Sequence, residues 1–124
     1  MKARLEGIYS IDLPDGPPRL PEDPSDCWIV VQADIGPVGT DGADTFTFYV
    51  CTLKRLQRAL KSEAWQFGRH SLIVERFDWD IVESAIRRMV DDQEAADWDA
   101  LAAKLGQYGQ WEFADYIEAS VSHR

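Results

Sequence analysis

Two runs of alternating residues, CWIVVQADIG (27–36) and TFTFYVCT (45–52), flank the turn-forming stretch VGTDGAD, and this arrangement constrains the fold more than any other feature. In an extended chain successive side chains point to opposite faces. The first run therefore sets Cys27, Ile29, Val31, Ala33 and Ile35 against Trp28, Val30, Gln32 and Asp34. The second sets Phe46, Phe48 and Val50 against Thr45, Thr47 and Tyr49. β-Branched and aromatic residues suit a half-buried pleated surface, and glycine with aspartate suits a reversal, so the two runs are predicted to form an antiparallel hairpin. Gly36 and Pro37 should end its first strand.

The remaining segments supply a further sheet strand or two and the helices that cover it. KARLEGIYSI alternates Ala3, Leu5, Gly7 and Tyr9 with charged or polar neighbours and reads as a first strand. The following DLPDGPPRLPEDPSD holds five of the six prolines. Proline lacks an amide proton, so residues 10–26 are expected to be a long surface loop. From Leu53 to about Trp65, Leu53, Leu56, Leu60 and Ala64 share one helical face and Lys54, Arg58 and Lys61 another. FGRH breaks this helix, with Gly68 suited to a left-handed closing conformation. SLIVERF reads as a strand and leads into a helix whose apolar positions are Trp79, Val82, Ile86 and Met89. Asp97 should cap a last helix carrying Trp98, Leu101, Ala102 and Leu105, stopped by Gly106 or Gly109. The end, residues 110–121, suits either a short helix or a strand followed by a turn. The predicted architecture is α+β: a mostly antiparallel sheet of about four strands with two to four helices packed on one face. At 124 residues the chain suits a single domain, 1–124.

Charge and composition narrow the chemistry. Twenty-two acidic against 13 basic residues give a net charge of −9. A phosphate backbone attracts a basic footprint, so direct nucleic-acid binding is not expected. The excess sits mainly in the second half, and residues 78–99 hold eight carboxylates and two arginines. Such a field keeps a protein soluble or steers a basic partner. No apolar run is long enough to span a bilayer, and the charged MKARLEGIYS start does not suit a signal peptide, so a cytoplasmic protein without membrane contact is expected. Cys27 and Cys51, one in each apolar run, suit buried thiols rather than a disulfide framework or a zinc site.

The stretch LIVERFDWDIVESAIRRMV (72–90) concentrates carboxylates at a strand–helix junction, with His70 just upstream. Asp78 is placed to cap the helix, and Asp80 and Glu83 fall in its first turn, where the helix dipole favours negative charge. That accounts for three carboxylates without chemistry. A catalytic or metal-binding alternative would draw on His70, Glu75 and Asp78, but these match no spacing with a known mechanism. No nucleophile elbow or phosphate loop occurs, and no catalytic residue, metal or cofactor is expected. Of the five tryptophans, Trp79 and Trp98 hold inward helical positions. Trp28, Trp65 and Trp111 suit either packing or a partner surface, where tryptophan often anchors.

Four stretches together carry a family resemblance: MKARLEGIYS, YVCT, GRHSLIVERFDWD and YGQWEFADY, in order from Met1 to about Tyr116. The chain resembles the Immunity protein 8 family of bacterial polymorphic toxin systems. Members often carry Pro and Trp after the VCT, where this chain has Leu53 and Arg55. The resemblance implies a cytoplasmic antidote that binds and blocks a cognate toxin, and it supplies no catalytic residues. The candidate toxin-binding residues are the outward carboxylates Asp91, Asp92, Glu94 and Asp99, for a basic toxin surface, and the aromatics Trp28, Trp65 and Trp111. A small enzyme using His70, Glu75 and Asp78, or a general interaction module, are the alternative readings.

Overall fold

The computed structural model describes residues 1–114. Its elements, in chain order, are β1 (Ala3–Tyr9), β2 (Trp28–Pro37), β3 (Asp44–Thr52), α1 (Leu53–Ser62), β4 (Ser71–Val74), α2 (Trp79–Asp92), α3 (Trp98–Leu105) and β5 (Gln110–Trp111). The fold is α+β, as the sequence predicts, with five strands in one mixed sheet and three helices.

The hairpin forms as its alternation requires: β2 and β3 pair antiparallel from Trp28 opposite Cys51 to Ile35 opposite Asp44. β2 ends at Pro37, where its stop is expected, and Gly36 and Pro37 pair with Arg4 and Ala3 of β1. At Gly36 a Cβ atom would lie 2.1 Å from the Gly42 carbonyl oxygen, so the turn closes over this strand only if glycine stands there. β1 is the outer neighbour of β2.

The free edge of β3 is divided between two short strands. β4 pairs in parallel with Tyr49–Thr52, reached through α1 as a β–α–β crossover. β5 pairs antiparallel with Phe46 and Thr47. The C-terminal stretch 110–121 thus begins as a strand with a turn at Glu112 and Phe113, and its part from 115 lies outside the described residues.

One sheet face packs on α2 and α3. Ile29, Val31, Ala33 and Ile35 of β2 and Phe46, Phe48 and Val50 of β3 are buried there against Trp79, Val82, Ile86 and Val90 of α2 and Leu101, Ala102 and Leu105 of α3. Each fully buried side chain of this size contributes about 1.5–3 kcal/mol by leaving water, so this face carries the fold. α1 is different, because none of its residues is buried. Leu56 and Ala59 instead overlook the opposite, outer face of the sheet, beside Trp28, Tyr49 and Cys51.

The Pro-rich loop is tied down at several points. Leu13 enters the core, the Trp79 indole donates to the Arg19 carbonyl at 2.6 Å, and the Phe77 amide donates to the Pro24 carbonyl at 2.7 Å.

Four local expectations need correction. A β-bulge between Leu5 and Gly7 shifts the register of β1. An extra residue reverses the alternation beyond it, so Ile8 takes the core side, and Tyr9 turns outward to Asp34. α1 ends at Ser62 rather than near Trp65, with Glu63 already extended at φ −128°. The left-handed residue before β4 is His70, at φ 57°, and not Gly68. A turn from Gly68 to Ser71 contains it, and the His70 ring is held at 2.9 Å from the Gly106 carbonyl oxygen. Finally, β4 stops at Val74, so Glu75 to Phe77 belong to the connection into α2.

Candidate functional site

The strand–helix junction resolves into separate structural duties. Asp78 caps α2, accepting from the Asp80 amide at 2.8 Å and the Ile81 amide at 3.4 Å, which satisfies donors that a helix start leaves without partners. Glu83 is paired with Arg87 one turn on, at 3.1 Å. Glu75 is exposed, and His70 faces α3 through its bond to Gly106. The structure therefore does not gather His70, Glu75 and Asp78 around one point. Among the described residues no group of three or more metal-ligating side chains could hold an ion.

The tryptophans divide between the two sheet faces. Trp111 stands opposite Phe46 in the β5–β3 ladder and shares its inner face, 7% exposed and stacked on the Phe46 ring. Its indole and that of Trp98 both donate to the same Asp44 oxygen, each at 2.9 Å. Of the two roles open to Trp111, packing is the one its position serves. Trp79 is buried, as its helical position predicts.

Trp28 and Trp65 lie on the other side. Trp28 pairs with Cys51 on the outer face and stacks on Tyr49, ring centroids 5.2 Å apart and planes 8° from parallel. Beyond the end of α1, Trp65 meets Phe67 edge-to-face at 5.4 Å. Trp28 is 47%, Trp65 68% and Phe67 86% exposed. Between Trp28, Tyr49 and α1 runs an open groove lined further by Leu56, Phe67 and two arginines, Arg55 and Arg69. Tyr49, Phe67 and the arginines were not singled out by sequence reasoning. The available signal was WQF directly after an amphipathic helix, a cluster of aromatics in a segment with no core to enter.

Fixed contacts hold α1 over this face. Thr52 caps it, its Oγ1 accepting from the Arg55 amide at 3.3 Å and from the Cys27 amide at 3.0 Å. Arg58 donates two hydrogen bonds to Asp26, at 3.0 and 3.3 Å. The Arg58 guanidinium in turn holds the Asp26 carboxyl below its ordinary value, so this pair persists until pH falls through that lowered value. Cys27 and Cys51 are free, and burial raises both thiols above their usual range, which leaves them poor nucleophiles.

The acidic candidates occupy a third place. Asp91 and Asp92 end α2, Glu94 follows, and Asp99 lies in the first turn of α3; all four are exposed. The connection is stitched to the start of β1, where Lys2 bridges to Glu94 and the N-terminal amine donates to the Ala95 carbonyl at 2.8 Å. The ammonium groups of Lys2 and Lys104 donate to the Asp91 and Glu94 carbonyls at 2.6 Å. Among the described residues none of the four carboxylates is in an ion pair. β1 starts beside Pro37, nine residues along β2 from Trp28. At about 3.3 Å per residue this spacing puts the acidic segment and the aromatic groove ~30 Å apart along the sheet. They are two surfaces, not one.

No helix among the described residues is long and apolar enough to cross a membrane. The sequence model of a protein family described as Immunity protein 8 matches residues 8–116. No curated protein and no solved structure matches the chain.

Proposed function

The chain belongs to the Immunity protein 8 family, and from that membership we propose that it neutralises a cognate protein toxin of a polymorphic toxin system by stoichiometric binding, inside the cytoplasm and without catalysis. The observation that supports binding over chemistry is the dispersal of the candidate catalytic groups. Asp78 serves a helix start, His70 a carbonyl of the α3 end, and Glu75 stands exposed in the connection before α2. Exposed aromatics and unpaired carboxylates, by contrast, suit a partner. In this proposal Asp91, Asp92, Glu94 and Asp99 form the field that steers a basic toxin surface.

Titration of the purified protein into its cognate toxin domain should saturate at one to one. The variants Glu75→Gln and His70→Asn, the latter because asparagine tolerates the left-handed backbone, should protect cells from that toxin within about threefold of the unaltered protein, since neither side chain is assigned chemistry. A folded variant that still binds the toxin yet no longer protects would replace this reading with an enzymatic one.

A further inference from the structure

We infer that the toxin docks in the groove between α1 and the outer sheet face, and that the element it inserts is an apolar side chain flanked by carboxylates. This inference rests on the toxin-binding reading above and specifies its contact surface.

α1 carries an apolar stripe, yet none of its residues is buried: Leu56 and Ala59 line the groove half-buried, Leu60 stays exposed, and Leu53 lies instead beside Ile73 and Ile81. An amphipathic helix draws its stability from covering its apolar face, so a helix left uncovered has a face available to a partner. The neighbouring aromatics point the same way. Phe67 lines the groove with Trp28 and Tyr49, and Trp65 packs edge-to-face on Phe67 beside it, two large, rigid and exposed rings of the kind that anchor interfaces.

Charge then identifies the occupant. Residues 53–69 hold Lys54, Arg55, Arg58, Lys61 and Arg69 against a single acid, Glu63: a local charge of +4 in a chain whose net charge is −9. Arg58 is occupied by Asp26. Arg55 and Arg69 line the groove, no carboxylate lines it with them, and among the described residues neither is in an ion pair. Among the described residues no carboxylate pairs with these two guanidiniums, and a planar guanidinium at the rim of an apolar groove is matched by a carboxylate from outside. The acidic segment some distance away would set the rate of encounter, while this groove would set the lifetime of the complex.

The test measures association and dissociation rates with the purified cognate toxin domain as probe. Trp65→Ser with Phe67→Ser, and separately Arg55→Glu with Arg69→Glu, should each speed dissociation at least about tenfold, the scale of interface anchors. All four side chains lie at the surface or groove rim, and circular dichroism checks that the variants remain folded. If the unaltered protein binds and both folded variants dissociate at its rate, the groove inference is overturned and the toxin-binding reading stands. No binding by the unaltered protein overturns both. Sedimentation of the protein alone should show a monomer. Self-association that the groove variants abolish, with toxin affinity unchanged, would assign the groove to a second copy and also overturn the inference.

Discussion

At the scale of single residues, two carboxylates show how a charged side chain in this acidic chain is used for structure. Asp78 satisfies two amides at the start of α2. Replacing it by alanine should cost about 1 kcal/mol, and by serine, which can still accept, only a fraction of that. Urea melts measure both, and equal losses would mean that the carboxylate serves something other than a cap. Asp44 is used more heavily, since the Trp98 and Trp111 indoles share one of its oxygens. Asp44→Ala strands two part-buried donors and should cost about 2–4 kcal/mol, because each unpaired donor retains its desolvation penalty. Asp44→Asn keeps an acceptor and should recover much of the loss. If alanine and asparagine melt alike, the indoles are not held through this oxygen. The cap was legible from sequence, because its partners lie two and three residues away. The Asp44 bonds span 54 and 67 residues, and nothing local announces them.

Among the elements, α1 and α2 are both amphipathic by sequence and have opposite fates. α2 buries Trp79, Val82, Ile86 and Val90, whereas α1 buries nothing. Opening of a helix is governed by the packing lost on opening, so amides of α1 should exchange with solvent deuterium far faster than those of α2. Comparable protection of the two helices in the free protein would show that α1 is held by more than its cap and the Arg58–Asp26 pair. The same periodicity predicted both helices, but periodicity reports which face is apolar and not what lies against it. The edge strands carry a similar lesson. β4 and β5 share the free edge of β3, one parallel and one antiparallel, an arrangement that four- and two-residue strands cannot specify by their own composition. The bulge in β1 likewise turned Tyr9 out of the face its spacing assigned, because an extra residue opposite β2 inverts every position after it.

For the molecule as a whole, charge is segregated: a +4 segment at 53–69 and an acidic connection at the far end of the sheet. If the acidic field steers a basic toxin, replacing Asp91, Asp92, Glu94 and Asp99 together by Asn or Gln should lower the association rate several-fold at low salt. It should also flatten the salt dependence of that rate and leave dissociation nearly unchanged. Stopped-flow binding at low and high ionic strength checks this. An unaltered association rate and salt slope would reduce the acidic segment to a solubility role.

What the chain determined by itself was everything carried by neighbours in sequence: the hairpin from its two-residue alternation, the inner core residues, the caps at Asp78 and Asp97, and the excess of negative charge. What only the tertiary structure decided was the partition of surfaces. Trp28, Trp65 and Trp111 were equivalent as letters. Trp111 faces the core because it pairs opposite Phe46, and Trp28 faces outward because it pairs opposite Cys51. The physical reason is that a strand's alternation defines two faces but not which of them the helices cover. That choice belongs to packing between residues far apart in the chain, and here it left one helix, three aromatic rings and two arginines around an open groove.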